Sequence, residues 1–452
     1  MPTLETVALN SPPKPHRRWP LALEREVLRD GVLPCVDRLV DELGDIFQVR
    51  LGIRQFVVLA HPEYARHVLV DDHEKYTRGF AQEVIGLLMG EGLLTSDGDE
   101  WRAHRRIGQP YFSKASIESF IPTMVDESLA LRRRWDEKRA RGETKVDMAE
   151  EMLRVTMRVV SGCLFGQDVD EFCTQFGPDL ARAQRWALRK MVNPLNLPMW
   201  VPTPMHLAFR SMSARLDRVI HEFINSRREG TTARGGLLSA LQTATFTHNG
   251  RAMNEKQLRD ACVGYFIAGH ETTATSMTWL WYHFANFPDI YQRTRDEILA
   301  EIPDEAQVGA SLHKLKYTRQ VVYESLRMYS PTWVIPRRAR EDDQIGEYRI
   351  RKGTDILVYA HRINRHPDYW DDPNRFDPDR FADEDAERNP AFLAFGVGPR
   401  MCIGKQFAEA EMLILCAILL RKHLAAIEEG HVVVPHAEMT LRPQGGLPMV
   451  LC

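Results

Sequence analysis

The chain has 452 residues, 44% of them hydrophobic and 27% charged, with a formal net charge of −3. This is the make-up of a globular protein with a large core, and it excludes disordered, collagenous and disulfide-stapled classes. The slightly acidic balance also argues against nucleic-acid binding, which needs a basic domain.

Residues 1–20 are rich in proline and basic side chains and lack the apolar run of a signal peptide, so they read as an extended or disordered lead-in. Seven cysteines (Cys35, Cys163, Cys173, Cys262, Cys402, Cys416, Cys452) are scattered without a C-x-x-C pair, which fits a reducing cytoplasm. The longest apolar run, residues 413–420, is far short of the ~20 residues that span a bilayer. No transmembrane anchor is expected.

A helix is expected over 21–43, followed by two β-rich runs, 46–51 and 55–60, turning at Gly52-Ile53-Arg54. Residues 62–330 carry mostly helical periodicity. Two stretches interrupt it: 79–97, glycine-punctuated but apolar, and 193–204, whose four prolines exclude a regular helix. Residues 230–236 read as a mobile loop. The segment 253–287 is the most helix-like in the chain, with Asn254 and Gln257 forming a capping box and Pro288 ending it. Its middle, Ala268-Gly269-His270-Glu271-Thr272-Thr273, is polar among apolar neighbours. Either a flat ligand lies over Ala268 and Gly269, with Glu271 and Thr272 relaying protons, or the helix is locally kinked and hydrated.

Glu324 and Arg327 lie one helical turn apart, the pattern of an ordinary surface ion pair or, with Arg380 downstream, of a buried carboxylate held by two guanidiniums. Beyond residue 330 come short strands, 345–350 and 355–359, then a proline- and aspartate-rich meander. It ends at Phe395-Gly396-Val397-Gly398-Pro399-Arg400-Met401-Cys402-Ile403-Gly404. One cysteine between a glycine-rich turn and a helix start is suited to presenting a thiolate to a heme iron. Heme propionates need cations, and Trp101, Arg105, Arg337, Arg338 and Arg400 are candidates.

In this order the motifs resemble those of the cytochrome P450 family: W-x-x-x-R at 101–105, A-G-x-E-T at 268–272, E-x-x-R at 324–327, P-x-R-F at 378–381 and F-G-x-G-x-R-x-C-x-G at 395–404. The resemblance implies a mainly α P450 fold, a large helical heme domain (21–452) with a long central helix and a small β-rich region. It implies heme b with Cys402 as axial ligand, and Trp101, Arg105, Ala268, Gly269, Arg337, Phe395, Arg400 and Gly404 about the cofactor. Glu271 and Thr272 would guide protons for O2 activation, while Glu324, Arg327 and Arg380 form a structural triad. The substrate pocket would draw on Phe80, Ile85, Leu88, Phe266, Ala268, Thr272, Trp333 and Val334, together with a lid over 191–200. Those side chains imply a hydrophobic substrate such as a fatty acid, terpenoid or polyketide. Arg54 is a candidate for holding a substrate carboxylate. Electrons are expected from a separate ferredoxin or flavodoxin with its reductase, docking on a basic patch of Arg102, Arg106 and Lys405. Competing readings are a peroxide-driven peroxygenase, a heme-thiolate isomerase and a heme-based gas sensor.

Overall fold

The helix Glu255–Asn286 organises the helical part of the molecule. The structure, a computed structural model, describes residues 10–15, 22–51, 54–165, 182–183, 185–187, 189–190, 197–225, 237–246 and 250–452. Asn254 caps the long helix by accepting the Gln257 N–H at 2.9 Å, and Gln257 Oε1 accepts the Asn254 N–H at 3.0 Å. A helix buried all round belongs in a core. This one packs along Met148–Val160 and meets the helices Lys316–Met328 and Lys405–Leu419. The last of these lies mainly along the 27-residue helix Lys114–Ala140.

The strands are β1 Ile46–Leu51, β2 Arg54–Leu59, β3 Tyr76–Thr77, β4 Lys145–Asp147, β5 Ile335–Ala339, β6 Asp343–Ile345, β7 Tyr348–Ile350, β8 Asp355–Val358, β9 Ala425–Ile427, β10 Pro435–Ala437, β11 Leu441–Pro443 and β12 Pro448–Leu451. The largest sheet runs β1-β2-β8-β5-β3, with β1 and β2 antiparallel from Ile46 opposite Leu59 to Leu51 opposite Arg54. Residues 10–15 lie extended beside it: Pro13 O accepts the Gln48 N–H at 2.8 Å and Asn10 O accepts the Arg349 N–H at 2.9 Å.

Three expectations change. The helix over 21–43 is two helices, Ala22–Asp30 and Val32–Leu43, because Gly31 takes φ +91°. The strand over 345–350 is the pair β6–β7, turning at Gly346 (φ +57°). The stretch 79–97 contains a regular helix, Phe80–Met89. Residues 230–236, Gly52-Ile53 and Met191 to Asn196 lie outside the described residues.

Glu411, in the helix Lys405–Leu419, is 1% exposed, and neither carboxyl oxygen has a hydrogen-bond partner in the structure. Burial pushes its pKa well above the usual carboxylate range. A folded-state pKa above the unfolded value gives stability that is present in acid and lost as pH rises through the folded value. Glu411→Gln is therefore expected to flatten the pH dependence of the urea midpoint on the alkaline side of pH 5, a curve read by circular dichroism.

Candidate active site

The loop ahead of Lys405–Leu419 presents one sulfur. Gly396 and Gly398 take φ +66° and +74°, conformations that favour glycine. A Cβ on Gly398 would collide with the carbonyl oxygen of Leu69, whereas one on Gly396 would meet nothing within 4 Å. The Cys402 N–H donates to Phe395 O at 2.9 Å, closing the loop. Burial pushes the Cys402 thiol up, while the Gly404 N–H, Arg105 and Lys405 pull it back. The residue is nevertheless exposed. It is thus surrounded by protein at longer range yet open at its own surface.

Cations gather beside this loop. Arg400 pairs with Asp97, donates to Ser96 O at 3.1 Å and lies 4.5 Å from the centre of the Trp101 ring. Arg105 Nη1 donates to Met401 O at 2.7 Å, tying the helix Gly98–Gly108 to the loop. Arg337 is buried, and desolvation with repulsion from Arg400 pushes it down to about 10 against the pull of Asp97. The sequence reading missed Arg78, which is pulled far down by burial and by Arg400 and Arg337. Its Nε is buried with no hydrogen-bond partner. Three arginines share Asp97 as the carboxylate that counters them, so the cluster favours further anionic charge. Arg338 is not one of the group, since it pairs with Glu83 and, at 2.9 Å, with Asp355.

The long helix carries a partly open stripe. From Leu258 to Trp281 every residue is buried except Gly264, Ala268, Gly269 and Thr272. Their spacing places them along one stripe of the helix. Thr272 Oγ1 donates to Ala268 O at 2.8 Å. A Cβ on Gly264 would meet nothing within 4 Å, but one on Gly269 would approach Val160 Cγ2 at 2.9 Å. The absent side chain at 269 thus serves contact with the neighbouring helix. Glu271 is buried and accepts from Thr440 Oγ1 at 3.1 Å.

Glu324 and Arg327 form a fully buried bidentate pair at 2.7 and 2.8 Å. Arg380 Nε stands 3.5 Å from Glu324 Oε1, and its Nη2 donates to Asp372 O. The closer second donor to Glu324 is the Asp377 N–H at 2.8 Å.

Of the expected pocket residues, Phe80 and Leu88 are buried, Ile85, Trp333 and Val334 half-buried, and Trp333 Nε1 donates to Glu438 O. Phe266 is corrected: two residues from Ala268, it projects from the opposite helix face and is 2% exposed. Arg54 is also corrected, because its guanidinium lies 3.6 Å from Asp355 and 3.8 Å from the Phe80 ring centre. In the expected basic patch, Arg102 pairs with Asp99 and Lys405 with Glu387.

A family model described as Cytochrome P450 matches residues 12–446. The chain belongs to the cytochrome P450 family. It is similar to "Putative cytochrome P450 132" of Mycobacterium tuberculosis, 32% identical over 98% of this chain and 97% of that protein. It is also similar to "Cyclooctatin synthase" of Streptomyces melanosporofaciens, 31% identical over 88% and 86% of the two chains. "Pentalenene oxygenase" of Streptomyces avermitilis is 29% identical over 88% of each. The fold matches a crystal structure of cytochrome P450DA heme domain with a TM-score of 0.87 at 24% identity, over 98% and 97% of the two chains. This P450 is a monooxygenase of hydrophobic substrates, and its family uses heme ligated by a cysteine thiolate. Among the described residues no helix is long and apolar enough to cross a membrane.

Proposed function

We propose that residues 21–452 form one heme domain in which Cys402 ligates heme b. Its substrate is an apolar small molecule that it hydroxylates or epoxidises, and its electrons come from a separate ferredoxin or flavodoxin. Three features carry this reading: an exposed cysteine in the glycine-rich loop, a partly exposed stripe of small residues ending in Thr272, and an arginine cluster with Asp97 as its shared carboxylate. These match the three parts of a heme, its iron, its flat face and its propionates. Bound there, the group supplies reductive activation of O2.

The chain supplies the rest. The Gly404 N–H steadies the sulfur, while Arg78, Arg337 and Arg400, with Trp101 against Arg400, would hold the propionates. Ala268 leaves the helix face flat, and Phe80, Leu88 and Trp333 exclude water. Glu271 and Thr272 move protons between the helix interior and the open stripe. Two relatives are named for oxygenating pentalenene and cyclooctat-9-en-7-ol, which makes carbon-rich ring compounds of the terpenoid class the first substrates to test. The ion pairs of Arg102 and Lys405 leave a rim of mixed charge, so salt is expected to slow reduction by the partner only modestly, as stopped-flow kinetics would show.

The deciding experiment is the reduced carbon-monoxide spectrum. The protein is expected to give the red-shifted band of thiolate ligation, and Cys402→Ser to lose it. A spectrum unchanged in Cys402→Ser would overturn the assignment. Faster turnover with peroxide alone than with reductant and O2 would favour a peroxygenase.

A further inference from the structure

The turn between β10 and β11 (Glu438, Met439, Thr440) reaches the middle of the long helix. Its backbone is pinned there: the Leu441 N–H donates to Pro331 O at 2.9 Å, Trp279 Nε1 donates to Leu441 O at 2.7 Å, and the Glu438 N–H donates to Thr440 O at 3.1 Å. This fixes the Thr440 hydroxyl, which is buried, against Glu271 Oε1 at 3.1 Å. Thr275 Oγ1 lies 3.5 Å from Thr440 Oγ1, one helical turn beyond Glu271. Arg442, two residues on in β11, pairs with Glu438 and lies within the field of Glu271.

Glu271 therefore points toward the hairpin, while Thr272, 100° further round the helix, lies on the open stripe. A buried carboxylate adopts the rotamer in which donors meet it, because leaving it unsatisfied is costly. Here the Thr440 hydroxyl meets it from the hairpin, beside the ion pair of Arg442 in β11 with Glu438 in the turn.

We propose that Thr440 is a positioning residue of the proton relay, holding Glu271 in the pose in which it takes up a proton before turning toward Thr272. The inference rests on the proton role given to Glu271 above. Each cycle moves one proton: the carboxylic acid gives it up on the stripe side, and the carboxylate returns to the Thr440 hydroxyl and is reprotonated from solvent. No group is consumed.

Thr440→Val keeps the shape and removes the donor, whereas Thr440→Ser keeps the donor. Three readouts apply to both and to Glu271→Gln: the share of NAD(P)H electrons recovered as hydrogen peroxide, the thermal midpoint, and the Glu271 carboxyl C=O band in pH-difference infrared spectra. That band is assigned by its loss in Glu271→Gln. Thr440→Val is expected to raise the peroxide share severalfold and shift the band while lowering the thermal midpoint by no more than one lost hydrogen bond accounts for, and Thr440→Ser to restore all three. Normal coupling and an unmoved band in Thr440→Val, beside an impaired Glu271→Gln, would overturn the inference alone. So would a serine variant as defective as the valine one, which marks a structural role. A Glu271→Gln enzyme that couples normally would instead overturn the proton role of Glu271, and this inference with it.

Discussion

Arg327→Ala is expected to leave little soluble, heme-loaded protein, with a loss of about 3–5 kcal/mol from breaking a buried ion pair at one partner. Both Arg327 and Glu324 are 0% exposed. Besides its bidentate hold on Glu324, Arg327 donates to Asn364 O at 3.0 Å, Pro373 O at 2.8 Å and Arg375 O at 3.2 Å. It thereby ties the helix Lys316–Met328 to the meander that leads to the cysteine loop. Removing the guanidinium would leave a buried carboxylate and three carbonyls without these donors. Arg327→Lys is expected to rescue little, since an ammonium cannot reproduce the planar fork. Arg380→Ala should cost only about 1 kcal/mol, because its approach to Glu324 is longer and a backbone N–H already serves the carboxylate. Urea midpoints and heme-to-protein ratios of the three variants test this order. An Arg380→Ala loss as large as that of Arg327→Ala would mean that the two guanidiniums act as equals, as the sequence alone suggested.

That difference marks what the sequence can convey. Local chemistry was legible: the capping box at Asn254, the hairpin Ile46–Leu59, and the cysteine loop, where each signal lies within a few residues of its effect. Features set by distant partners were not. The helix Phe80–Met89 was hidden because its start is fixed by Asp355, whose carboxylate accepts the Phe80 N–H at 3.1 Å. Arg78 sits in no motif used in the reading, and nothing in its neighbours announces that Arg337 and Arg400 converge on it. Gly269 was rightly singled out as odd in a helix, but the close approach of Val160 belongs to another helix and leaves no local trace. Phe266 was misplaced for a different reason: helical phase puts it on the far side of the stripe.

Gly398→Ala is expected to remove the thiolate spectrum while leaving most of the fold intact. At φ +74° a side chain is already disfavoured by about 1–2 kcal/mol. The added Cβ would also run into Leu69 O, a backbone atom that cannot rotate away. Relief requires the segment 396–400 to shift, and the Cys402 N–H···O bond to Phe395 spans that segment. The sulfur would move with it. Gly396→Ala is the control: it has a similar φ, +66°, but open space around the new methyl, so only the backbone strain remains. Its heme-to-protein ratio and reduced carbon-monoxide band should stay close to those of the unaltered chain, while those of Gly398→Ala fall severalfold. If both variants lose the band equally, backbone conformation alone positions the sulfur. If neither does, the contact between the loop and Leu69 has no part in holding Cys402.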